Sequence, residues 1–329
     1  MGRRFVLTAE RPRAVRDSSA ADCTESDLAR VHAAGAQLPA IRLPMREFEV
    51  LPGGLTNRNY RFVDAAGLEA VARISEPDTA LLAIDRDAEY RNASAAAALG
   101  VGPAVLGYAA GSGVSVVEWI NGRTFEALDL DDAQTLSRVA AACRLLHSGP
   151  AFASDFDMFA IQRRYLDLVR SHGYRLPAGY ESHQPTIERI EAAMSVHPLP
   201  IVPCHNDLLA ANIMDDGRQL WLIDYEYAGN NDPCFELGNI ASEAHLSHDR
   251  LRELVAAYFG HDSSSLYARA RLFALMSNYG WTLWASIQDS VSEVDFDFWA
   301  WGLEKYDRAV AELGSAELSY LISEVQQVH

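Results

Sequence analysis

The sequence predicts an α+β protein of two lobes, a small β-rich lobe followed by a larger, mainly helical one. Three observations predict it. Short runs rich in Val, Phe and Tyr, joined by glycine-containing turns, dominate the first ~120 residues. After Gly122 the apolar residues recur at helical spacing instead. The one long exception, residues 200–226, reads as loop, then strand, then an acidic end.

The elements follow in order. Residues 1 to about 25 carry charge and small residues without periodicity, and a partly disordered extension over 1–45 is expected, with one helix near "ESDLARVHAAGAQL". The small lobe, 46–120, then holds the strand-like runs "REFEVL", "RNYRFVD" and "LEAVARIS". The helix "DRDAEYRNASAAAALG" ends at Gly100, and "PAVLGYA" and "VSVVEWI" complete five strands. The alanine run at 95–98 is good helix composition. The large lobe, 121–329, opens with "LDDAQTLSRVAAACRLLHSG", which places Leu136, Val139, Ala140, Cys143 and Leu146 on one face. Helical patterns recur at 160–172 and 185–196 and through most of 240–325. The lobes meet near Glu118–Arg123.

Composition narrows the function classes. At 329 residues the chain can bury a large core, and 49% apolar with 22% charged residues is ordinary for a globular protein. A formal net charge of -17 repels phosphate backbones, so a nucleic-acid partner is not expected, whereas a cationic small ligand is favoured. Cys23, Cys143, Cys204 and Cys234 lack C-x-x-C spacing, so they read as free thiols in a reducing compartment. The basic start "MGRRFVLTAERPRAVRD" has no apolar stretch behind it and does not read as a signal peptide. The best candidate for a membrane span, "LFALMSNYGWTLWASI", is broken by Ser277, Asn278 and Gly280. A cytoplasmic protein without a membrane partner is expected; the patterning carries no signal for oligomeric state.

Four stretches bear on chemistry. "HNDLLAAN" sets Asn212 five residues after Asp207, the spacing between the base and a magnesium ligand in kinase catalytic loops. A chance D-x-x-x-x-N is common. "QLWLIDYEY" ends an apolar run in Asp224, and a carboxylate there is costly unless it is paired or binds a cation. Its competing role is to cap a turn, but the loop–strand–acid order gathers it with Asp207 and Asn212. "LPGGLTNRNYRF" offers Gly53, Gly54, Thr56 and Asn57 between two strands, where backbone N–H groups could approach a phosphate. Alone, that stretch fits a plain hairpin better. Last, Arg73 lies on the third strand and Glu89 on the next helix, the order in which kinases place a phosphate-gripping cation and its carboxylate partner. Kinases use Lys there, but Arg keeps its charge and binds phosphate bidentately.

From about Phe48 to Asp307 the chain resembles the choline/ethanolamine kinase family, within the aminoglycoside-phosphotransferase-like and protein-kinase-like superfamily. The most specific part is "HNDLLAANIM" with "LWLIDYEYAGNNDPCFELGNIASE", and Asn206, where related antibiotic kinases have Gly, points to the choline branch. The resemblance implies a bilobal kinase fold, ATP, magnesium and phosphorylation of a small amino alcohol. It implies Asp207 as catalytic base, Asn212 and Asp224 as metal ligands, and Arg73 with Glu89 on the nucleotide phosphates. "VEWI" resembles the hinge, with backbone groups of Glu118 and Ile120 toward adenine. Glu236 stands where the family has Asp to brace the catalytic loop, which leaves that brace an open question.

The acceptor is read from aromatics. Trp281 and Trp284 are three apart on a helix and share a face, and Trp299 and Trp301 follow. Such stripes usually form core, but tryptophan faces also attract cations. The family comparison matches Trp281, Trp284 and Trp301, with Tyr227 and Glu243, to choline-contacting residues. It favours choline over ethanolamine, because a primary ammonium needs acceptors that an aromatic cage lacks. The alternatives are a kinase of another small alcohol, such as an aminoglycoside, a sugar or a macrolide, and a non-catalytic kinase-like binding module.

Overall fold

The computed structural model describes residues 24–52, 57–75, 81–82 and 84–328. In the small lobe, strands β1 (Arg46–Leu51), β2 (Asn57–Val63), β3 (Glu69–Ser75), β4 (Val105–Ala109) and β5 (Val114–Glu118) pair antiparallel in the order β1-β2-β3-β5-β4. The two-residue period of β3 turns Ala70, Ala72 and Ile74 to one face, where each is fully buried, and Arg73 to the other.

Helix α1 (Glu25–Gly35) covers the apolar face. Its Thr24 cap accepts from the Asp27 N–H, and Val31 and Ala34 join Leu38, Ile41 and Met45 in one core with Tyr60, Phe62 and Val116. Arg30 donates to the carbonyls of Ser75 and Ser112, and buried Asp27 accepts from the Tyr60 hydroxyl at 2.6 Å. The segment 25–45, read from the sequence as an extension, is thus packed into the small lobe's core. With α1 on one face, Arg73 is left facing the cleft, where α2 (Arg86–Ala98) brings Glu89.

The large lobe is built around α8 (Ser264–Val291), buried on every side by α4 (Met158–His172), α6 (Pro233–Ala244) and α9 (Phe298–Leu313). Ser277, one of the polar residues that interrupt its apolar run, has internal partners. Ser277 donates to the Asn239 side chain at 2.8 Å and accepts from Ser242 at 3.0 Å. No helix among the described residues is long and apolar enough to cross a membrane. Helices α3 (Ala133–His147), α5 (Gln184–Met194), α7 (His248–Phe259) and α10 (Leu318–Glu324) complete the lobe. Cys143, Cys204 and Cys234 are free and buried.

Two small sheets carry the chemistry-bearing loops. Strand β6 (Arg123–Thr124) pairs with β8 (Ile213–Asp215), which pairs with β9 (Leu220–Leu222). Strand β7 (Val202–Cys204) pairs with β10 (Gly229–Asn231). The loop 205–212 leaves β7 and enters β8, and Asp224 follows β9, so both emerge at one end of the sheets.

Candidate active site

The loop from His205 to Asn212 is held by buried hydrogen bonds. Asn206 adopts a left-handed backbone, with φ 66°, which Asn tolerates better than most residues. Its side-chain amide donates to the carbonyls of Tyr227 at 3.0 Å and Gly229 at 3.1 Å, and its oxygen accepts from Asn231 at 2.8 Å. The imidazole of His205 is shared between the Ile223 carbonyl at 2.8 Å and the Asp207 N–H at 3.3 Å. Those partners assign the proton to Nε2 and leave Nδ1 as acceptor. Burial pushes the His205 pKa down, consistent with a neutral brace.

Glu236 answers the question raised by its extra methylene. Its two carboxylate oxygens accept from the backbone N–H groups of His205 at 2.9 Å and Asn206 at 2.7 Å. It is fully buried, which alone would raise its pKa. The His147 ring, His205 and the Asn206 N–H outweigh that and hold it below the ordinary value. His147 Nε2 lies 3.8 Å away. The longer acid therefore reaches both loop amides.

Asp207, Asn212 and Asp224 come together by local geometry. The Asn212 side-chain N–H donates to the Asp207 carbonyl at 2.8 Å, so its amide oxygen is the atom left for a cation. The Asn212 carbonyl accepts from the Ile223 N–H at 3.0 Å, which sets Asp224 beside it. Asp224 has φ 71°. The Asp207 carboxyl is pushed well above the usual range, by burial first and then by Glu243, Asp224 and Glu226, with Lys305 opposing. A cation at Asn212 and Asp224 would counter that push.

Arg73 grips three carboxylates: Asp224 at 2.6 Å, Glu226 at 3.0 Å and Glu89 at 3.2 Å. Burial alone would lower its pKa; Asp224, Glu89 and Glu226 raise it further than burial lowers it. Arg86 adds a second guanidinium, 2.6 Å from Glu89 and 3.3 Å from Glu226. Asn57 donates to Glu226 at 3.0 Å and accepts from Arg86 at 3.2 Å. The Nε–H groups of Arg73 and Arg86 are buried without a hydrogen-bond partner among the described residues. Orphaned guanidinium donors beside the Asp224 carboxylate fit a phosphate ligand with its cation. Gly53, Gly54 and Thr56 lie outside the described residues.

At the other end of the cleft, Glu118 ends β5 and donates its N–H to the Ala104 carbonyl at 2.9 Å. The Ile120 carbonyl accepts from Gly122 at 3.1 Å. A cavity of about 350 Å³ opens there, lined by Trp119, Ile120, Asn121, Asp216, Arg218 and Trp221.

The five residues matched to the acceptor form one cluster. Tyr227 meets Trp281 edge-on at 4.9 Å between centroids, and the Trp284 N–H donates to the Tyr227 hydroxyl at 2.8 Å. Trp284 meets Trp301 edge-on at 5.5 Å. Trp281 donates to Asn239 at 3.3 Å. Glu243 joins through Lys305, which lies 2.6 Å from it and 4.3 Å above the Trp301 ring. Trp299 turns away and carries Arg175 over its face at 3.9 Å. A second cavity of about 370 Å³, lined by Tyr227, Glu226, Glu89 and Phe156 among others, lies between α2, α4 and the 226–228 turn.

Sequence reading passed over Glu226, Arg86 and Lys305. Glu226 was in view, two residues past Asp224, and Arg86 is three residues before Glu89 on the same helix face. Lys305 stands four residues after Trp301 on one helix, but nothing local marks its pairing with Glu243.

Known proteins resemble this chain in sequence and fold. The model of the phosphotransferase enzyme family matches residues 47–273. Protein LicA of Haemophilus influenzae is 29% identical over 270 residues, covering 78% of this chain and 77% of that protein. Ethanolamine kinase 2 of Mus musculus is 27% identical over 330 residues, covering 83% and 84%. A crystal structure of a choline/ethanolamine kinase family protein from Mesorhizobium loti superposes with a TM-score of 0.79 at 31% identity, covering 92% of this chain and 99% of that one. The chain belongs to the phosphotransferase enzyme family, in its choline/ethanolamine kinase branch, and is an alcohol-acceptor kinase with the bilobal kinase-like fold.

Proposed function

We propose that this enzyme transfers the γ-phosphoryl group of ATP to the hydroxyl of choline, giving phosphocholine, with magnesium as cofactor. The observation that carries the choice of acceptor is the cluster of Tyr227, Trp281, Trp284 and Trp301 with Glu243, close enough for Glu243 to act on the Asp207 carboxyl. Aromatic faces attract a quaternary ammonium, which offers no N–H to an acceptor.

Asp207 accepts the proton of the acceptor hydroxyl and orients its oxygen for in-line attack. Asn212 and Asp224 would hold Mg2+, which supplies charge neutralisation on the phosphate oxygens. Arg73, oriented by Glu89, supports the same phosphates. The Glu118 carbonyl and the Ile120 N–H would take adenine; that the Glu118 N–H and the Ile120 carbonyl are already bonded supports this choice.

Ethanolamine is the second reading, favoured by the relatives named ethanolamine kinase. The test is ADP formation from ATP and magnesium across a panel of amino alcohols. Choline is expected to have the highest kcat/KM, and turnover of ethanolamine far faster than choline would overturn the choice. Asp207→Asn is expected to lower kcat by about 10²–10⁴ with nucleotide binding retained, measured by titration of ATP. Near-normal turnover in that variant would refute Asp207 as base.

A further inference from the structure

Lys305 is a buried ammonium inside the acceptor cluster. It lies on α9 four residues after Trp301, so both side chains share one helix face. Its Nζ atom is 4.3 Å from the Trp301 ring centroid and 2.6 Å from Glu243 Oε1. The Lys305 and Glu243 side chains are only 7% and 6% exposed. Lysine is almost never buried so fully unless paired. Glu243 lies on α6, so the pair joins α6 to α9 beside the aromatic cluster.

We propose that Lys305 sets acceptor selectivity by neutralising Glu243 and covering one face of Trp301. The acceptor's cationic group then meets aromatic faces and an ion pair, not a bare carboxylate. This rests on the amino-alcohol reading of the same site. The field of a close ion pair falls off faster than that of a single charge, so the pair attracts any cation weakly. A quaternary ammonium loses only the Trp301 face that Lys305 covers, because it binds through ring faces and not through N–H donors. A primary ammonium loses more, because its N–H donors need acceptors and one Glu243 oxygen is already taken. Lys305 thereby favours the quaternary acceptor as a positioning residue acting through Glu243.

The test compares kcat and KM for choline and for ethanolamine in the full-length wild-type, Lys305→Met and Lys305→Arg enzymes. In Lys305→Met the choline-to-ethanolamine ratio of kcat/KM is expected to fall about tenfold, the size of one hydrogen bond to a charged group, mainly through a lower KM for ethanolamine. Lys305→Arg is expected to keep the wild-type ratio. Equal losses on both acceptors, or an unchanged ratio, would overturn the inference and leave Lys305 a structural tie. Should Lys305→Met fail to fold, Lys305→Met with Glu243→Gln removes both charges together. That double variant is expected to keep the choline preference, and a shift toward ethanolamine in it would also overturn the inference. Wild-type enzyme that phosphorylates neither amino alcohol would overturn the acceptor assignment, and this inference with it.

Discussion

Asn206 and Glu236 show how single residues set the loop around Asp207. Asn206 takes a left-handed backbone that glycine would adopt without strain, and its amide closes bonds glycine lacks. Glu236 then accepts both backbone N–H groups ahead of Asp207. A carboxylate accepts on both oxygens, whereas a carboxamide turns an NH2 toward one of the two donors. Glu236→Gln is therefore expected to destabilise the fold by about 2–3 kcal/mol, the cost of a buried N–H left unpaired, read from urea unfolding. Unchanged stability would mean that the loop holds its shape without the Glu236 charge.

At the scale of elements, close backbone approach organises the large lobe. Gly238 on α6 faces α8, and a Cβ there would stand 2.7 Å from the Ala274 nitrogen and nearer still to the Ala270 carbonyl. Those atoms are backbone and cannot move aside, so the helices themselves must shift. Gly238→Ala is expected to cost about 1–3 kcal/mol and to disturb the Asn239–Ser277 bond beside it, measured by denaturation and by acceptor KM. A variant of wild-type stability would mean that the helices can separate freely. The strand β3 makes a parallel point in the small lobe. Its alternation gives the buried face to α1 and leaves Arg73 to the cleft, so the apolar partner of one face defines the chemistry of the other.

Across the whole molecule, the lobes are tied by charge at the cleft. Glu226 belongs to the turn after β9, yet it accepts from Asn57, Arg73 and Arg86 of the small lobe. Breaking that tie is expected to loosen the phosphate end of the nucleotide site. Glu226→Gln is expected to raise the KM for ATP about tenfold or more, through loss of hydrogen bonds between charged groups. Wild-type KM and unchanged limited proteolysis between the lobes would mean that the tie does not couple them.

Much of this arrangement was legible in the amino-acid order. Strand and helix periods separated the β-rich and helical parts, because each period reflects which side chains must leave water. Asp207, Asn212, Asp224, Arg73 and Glu89 could be picked out because loop, strand and helix order confined each to a short stretch. Three things depended on folding. The segment 25–45 became core because a sheet face needed an apolar cover that only the assembled lobe presents. Glu226 and Arg86 acquired roles when two lobes closed on one cleft. Lys305, four residues from Trp301 on α9, met Glu243 through the packing of α6, α8 and α9, an ion pair 62 residues apart in the chain that no local pattern encodes.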